Sequence, residues 1–137
     1  YRLLGQIDHR YDLMPTADGR GKDRLSSARR LARMLGCDYE SSDLSEICQV
    51  AAFIARTQHE LIRNAIHLAM SRVPLFKKNP QIIGAGVGRF LAKRLSRSLD
   101  IGYRPFDSLI ESDPKLGEGI AIAAPAVAVA KLAWKAS

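Results

Sequence analysis

The stretch Ile82-Ile83-Gly84-Ala85-Gly86-Val87-Gly88-Arg89-Phe90-Leu91 reads as a strand end, a glycine turn and a helix start. A short apolar run stops at Gly84, and three glycines alternate with small residues before a helical pattern begins. Glycine lets a backbone turn sharply and brings its N–H groups close to a neighbour. The N-terminus of the following helix favours negative charge. The spacing is G-x-G-x-G, which is neither the dinucleotide G-x-G-x-x-G nor a P-loop, because no Gly-Lys-Ser/Thr closes it. Two readings follow from the residues alone. The turn holds phosphate or the polar edge of a nucleotide, or it needs glycine only for tight strand-to-helix packing.

Working outward, Arg89 to Leu99 is predicted as a helix, with Phe90, Leu91 and Leu95 inward. Ile101 to Arg104 is predicted as a second strand, parallel to the first because a helix crosses between them. The tail, Leu116 to Ala136, is small and apolar. Its alanines favour a helix starting near Glu118 or Ala124, with Pro125 in a first turn and Lys131 and Lys135 at the negative end.

Toward the N-terminus the pattern is helical. Tyr1 to Ile7 reads as the end of a helix, and Asp8 to Gly21 as a loop. Lys22 to Leu35 carries Leu25, Ala28, Leu31, Ala32 and Leu35 on one stripe and stops at Gly36. A long helix is predicted from Ser42 or Asp43 to about Arg72, halted by Pro74 and either continuous or broken near Thr57. Its stripe is Ile47, Ala51, Ile54, Gln58, Leu61, Ala65 and Leu68 or Ala69, widened by Phe53, Ile62 and Ile66. The whole is a helix-rich α/β chain, with a mainly helical part over 1–74 and a strand, glycine turn and helix part over 75–137. Two parallel strands make a marginal sheet. Further strands are therefore expected upstream, in keeping with Tyr1 standing where a start Met would be.

Composition narrows the class. With 137 residues, 47% hydrophobic and 26% charged, the chain has the length of one domain and an ordinary globular balance. No apolar run is long enough for a membrane span. Cys37 and Cys48 lack Cys-x-x-Cys spacing and are read as reduced thiols of a cytoplasmic protein. The formal net charge of +7 raises nucleic acid as a partner. The charges are spread over Arg20 to Arg33, Lys77 and Lys78, and Arg89 to Arg97, with no aromatic residues interleaved for stacking. A solvated basic face is the first reading, a phosphate-rich small ligand the second and nucleic acid the third.

Few residues suggest other chemistry. His9, His59 and His67 make no His-x-x-x-His pair, so no metal is expected. Asp8, Asp12 and Asp18 lie in a loop without EF-hand spacing. Cys48 has no nucleophile signature, and Gln58, Arg63 and Asn64 read as a polar helix face.

Several segments taken in order resemble one family. These are Thr16-Ala17-Asp18-Gly19-Arg20, Arg30-Leu31-Ala32-Arg33-Met34-Leu35-Gly36, Gly84-Ala85-Gly86-Val87-Gly88-Arg89-Phe90-Leu91-Ala92 and Ala124-Pro125-Ala126-Val127-Ala128-Val129-Ala130. Their order resembles the hydantoinase/oxoprolinase-like proteins, in the branch linked to tetrahydromethanopterin-dependent one-carbon transfer and methanofuran biosynthesis. The resemblance implies part of the second lobe of an actin-like ATPase (ribonuclease H-like) fold, with residues 1–137 as one C-terminal lobe fragment. The first-lobe Asp-x-Gly-Gly-Thr loop is absent from the sequence.

By that resemblance Gly84, Ala85, Gly86, Gly88 and Arg89 would hold phosphate, and Asp18 and Arg20 would lie in a substrate loop. The implied ligand is ATP or a diphosphate substrate, with Mg2+ in the parent protein. The implied reaction joins a furanylmethyl diphosphate to a phenol and releases diphosphate. An ATP-dependent amidohydrolase of the oxoprolinase type is the alternative within the family, and a non-enzymatic helical binding module the alternative outside it. The expected partners are a missing N-terminal lobe, a phosphate-bearing small molecule and a second copy of the chain, with no membrane. The isolated chain is expected to be inactive.

Overall fold

Asp23 starts the first long element of the chain. Its carboxylate accepts hydrogen bonds from the Ser26 amide at 2.8 Å and the Ser26 hydroxyl at 2.6 Å, capping helix α1 (Arg24–Met34). The helix ends in a Schellman pair. The Gly36 amide donates to the Arg33 carbonyl and the Cys37 amide to the Ala32 carbonyl, both at 3.0 Å. Gly36 makes this possible by taking φ +73°, a left-handed conformation that a side chain resists. The computed structural model describes residues 1–40, 43–72 and 80–136. The expected cap at Ser42, the stop at Pro74 and the basic pair Lys77 and Lys78 lie outside the described residues.

The chain divides into two compact units, Tyr1–Ile62 and Arg63–Ser137. In the first, residues expected to end a helix form a single turn instead. The Leu4 amide returns to the Tyr1 carbonyl and the Gly5 amide to the Arg2 carbonyl, and Gly5 stops the turn at φ +65°. A 3-10 turn follows at His9–Tyr11. Helix α1 and the first part of helix α2 (Leu44–Arg72) then build a core of Leu3, Ala28, Ala32, Ile47 and Ala51. Ala28 and Ala32 are fully buried, so small side chains let this core close tightly.

Helix α2 is unbroken at Thr57, whose hydroxyl donates back to the Phe53 carbonyl at 3.1 Å. Its apolar stripe is covered less than its periodicity predicts. Ile47, Ala51 and Ala55 are buried, whereas Phe53 and Leu61 are 62% and 65% exposed. The same holds for the stripe of α1, where Leu25 and the C-cap residue Leu35 are exposed.

The second unit carries the predicted strand, turn, helix and strand. Strand β1 (Gln81–Gly84) leads through the glycine turn into helix α3 (Arg89–Leu99), and strand β2 (Gly102–Pro105) returns parallel to β1. The register runs from Gln81 opposite Gly102 to Gly84 opposite Pro105. Helix α3 rests on both strands and ends at Asp100, which adopts the left-handed φ of 51° that Asp tolerates better than most residues. Among the described residues these are the only two strands in the sheet.

The tail is two helices, α4 (Gly117–Ile122) and α5 (Ala124–Ala136), where one was expected. Both predicted starting points are used. Pro125 explains the break, because it has no N–H to give the Ala121 carbonyl one turn back. No helix among the described residues is long and apolar enough to cross a membrane.

Replacing Gly36 with Ala meets open space but a forbidding φ. Denaturant unfolding of Gly36→Ala is expected to show a loss of about 1 kcal/mol. An unchanged midpoint and slope would remove the Schellman pair from the account.

Candidate functional site

The carboxyl ends of parallel strands are where open α/β units place their ligands, because the following loops and helix N-termini converge there. Here β1 ends at Gly84 and β2 at Pro105. Beside them opens a cleft of about 430 Å³ lined by Arg89, Phe90, Lys93, Tyr103, Pro105, Asp107 and Glu118. Arg89 and Lys93 come from successive turns of α3, and Tyr103 from β2. Asp107 comes from the 3-10 turn Phe106–Leu109 that follows β2, and Glu118 from α4.

The glycines have separate tasks. A side chain on Gly84 would overlap the Tyr103 ring, so this glycine makes room for one wall of the cleft. Gly86 takes φ +70° and donates its N–H to the Ala121 carbonyl at 2.6 Å. That carbonyl is the one Pro125 leaves without a helical donor. Gly88 precedes α3 with no side-chain cap, and the amides of Val87 and Gly88 have no hydrogen-bond partner among the described residues. The Arg89 guanidinium pairs with the Glu118 carboxylate across the turn. One Asp107 carboxylate oxygen, Oδ1, is buried with no donor among the described residues.

Of the residues expected to hold phosphate, Arg89 alone lines the cleft with its side chain. Gly84, Ala85, Gly86 and Gly88 shape the turn behind it, and the Gly86 amide is already spent on Ala121. Lys93, Tyr103, Asp107 and Glu118 were not singled out from the sequence. Lys93 was findable, since it lies one helical turn after Arg89. The others reach the cleft through tertiary packing.

Asp18 and Arg20 belong to the first unit. The Asp18 carboxylate accepts from the Arg20 amide at 3.2 Å and pairs with Arg30 at 3.1 Å. Burial raises its pKa, but hydrogen bonds from the Arg20 amide, Thr16 and Arg30 outweigh this and hold the carboxyl below the usual range. Asp23 is held low as well, chiefly by Ser26. The other loop acids are also matched by bases. Asp8 pairs with Arg10, and Asp12 with Arg2 and Lys22. The loop therefore reads as a set of ion pairs fastening the start of the chain to α1.

The remaining candidates stay apart. Cys37 and Cys48 are free thiols. His67, Gln58 and Asn64 are exposed on α2, and His59 is half-buried. Among the described residues no three His, Cys, Asp or Glu side chains gather as a metal site. The first unit has its own depression of about 500 Å³, lined chiefly by apolar residues such as Leu3, Ile7, Leu31 and Ile54. The arginines on it, Arg2 and Arg30, are occupied by Asp12 and Asp18.

No protein-family model, curated protein or solved structure matches this chain.

Two measurements test this geometry. Carboxyls with lowered folded pKa values stabilise the native state above their unfolded value near 3.8, and that stabilisation is lost as pH falls through the lower folded value. Asp18→Asn with Asp23→Asn is expected to lower stability at neutral pH and to flatten its decline below pH 3.8; an unaltered acid limb would contradict the assignment. Pro125→Ala restores a donor for the Ala121 carbonyl, so hydrogen exchange at the Gly86 amide is expected to quicken about fivefold. Equal exchange in both proteins would show that Pro125 does not free this carbonyl.

Proposed function

We propose that this chain is part of a cytoplasmic transferase of one-carbon cofactor biosynthesis, of the methanofuran type. On this reading the cleft at the strand ends takes a furanylmethyl diphosphate. A phenol oxygen attacks the methylene carbon, the bond from that carbon to the diphosphate oxygen breaks, and the phenol proton leaves to a base. The single observation that supports the reading best is the placing of Arg89 and Lys93 on a cleft at the carboxyl ends of two parallel strands. Preorganised cations there would stabilise charge developing on the leaving diphosphate. Phe90 and Tyr103 offer aromatic walls to a flat ring.

Mg2+ is implied with a diphosphate, and it is usually held by one or two carboxylates together with phosphate oxygens. Asp107 on the cleft would be that carboxylate, since its Oδ1 is buried without a donor among the described residues. The metal would supply charge neutralisation on the diphosphate. The wider setting is that of an actin-like two-lobe protein, with this chain as part of the second lobe and another lobe as its partner. Exposed Phe53 and Leu61 on α2 agree with a chain that meets a partner or a second copy.

Inorganic diphosphate added to the 137-residue chain is expected to raise the thermal unfolding midpoint. The gain approaches about 2.7 kcal/mol of stabilisation at a hundredfold excess over Kd. Arg89→Gln should abolish most of that rise. No rise with diphosphate, together with nucleic-acid binding that falls steeply with salt, would replace this reading with a basic binding module.

A further inference from the structure

We propose that α4 carries a built-in competitor for the anion, with Glu118 as the residue that sets how tightly the cleft binds it. This inference rests on the anion-binding reading of the cleft. Two groups beside the cleft that suit phosphate are Arg89 and the Gly86 amide, and oxygen atoms of α4 already meet both. The Glu118 carboxylate takes Arg89, and the Ala121 carbonyl takes the Gly86 amide.

The two contacts differ in how easily they yield. Ala121 is fully buried and its neighbour Ile120 is buried, so the carbonyl is anchored by the core of the unit. Glu118 is 58% exposed and Arg89 29% exposed, so that ion pair lies at the rim and its acid can swing into water. Exposed ion pairs are weak, which makes this one displaceable. The Gly86 amide is therefore a fixed structural bond, and the anion enters by taking Arg89 from Glu118, with Lys93 as a second cation already on the cleft. Removing the Glu118 charge frees Arg89 and also removes a repulsion.

The test is calorimetric titration of inorganic diphosphate into the full chain and its Glu118→Gln, Arg89→Gln and doubly substituted forms. Glu118→Gln is expected to tighten binding about fivefold. The same substitution in the Arg89→Gln background is expected to give clearly less, only the relief of repulsion, because the competitor then has no cation to hold. Equal affinity of the parent chain and Glu118→Gln would overturn the competitor while leaving the anion site intact. An equal gain in the Arg89→Gln background would also overturn it, reducing Glu118 to a general surface charge. Absence of diphosphate binding in every form would sink the anion site itself, and the competitor with it.

Discussion

A proline at 125 leaves the carbonyl of Ala121 without its helical donor, and the amide of Gly86 takes its place at 2.6 Å. Much of the second unit hangs on that exchange. It ends α4, fixes where α5 begins and ties the tail to the glycine turn between β1 and α3. A buried carbonyl left unpaired would cost more than most single contacts return, so its satisfaction fixes the position of α4. With α4 fixed, Glu118 faces Arg89 and the cleft acquires its mixed-charge rim.

The local parts of this fold are legible in the sequence because single residues carry them. Gly36 ends α1 through one left-handed φ, Asp23 starts it with one carboxylate, and Gly84 to Gly88 mark the turn before α3. The parallel pairing of β1 and β2 also follows, since a helix between two strands permits it directly. What periodicity does not tell is whether a face is covered. The stripe on α2 is regular, yet Phe53 and Leu61 stay largely exposed, and among the described residues burial on this helix centres on Ile47, Ala51 and Ala55 near its start. The division of the tail has a related cause: Pro125 suits the first turn of a helix, and the carbonyl it deprives finds its partner only through tertiary packing.

The candidate site was half legible. A glycine turn before a basic helix marks the carboxyl end of β1, and Arg89 lines the cleft there. The resemblance gives the glycine amides to a ligand, whereas the Gly86 amide serves the fold, in line with the packing reading of the turn. Tyr103, Asp107 and Glu118 come from three later segments whose convergence depends on the strand register and the α4 docking. The loop pattern of Asp18 and Arg20 also stands out in the sequence, and there Asp18 grips Arg30 and the Arg20 amide.

The alanine core of the first unit carries a thermal consequence. Ala28, Ala32 and Ala51 have no side-chain rotamers to freeze, so ordering them costs little entropy. They also bury little apolar surface, and the heat capacity gained on unfolding scales with that surface. A small heat-capacity change flattens the stability curve, so this unit should lose little stability on cooling.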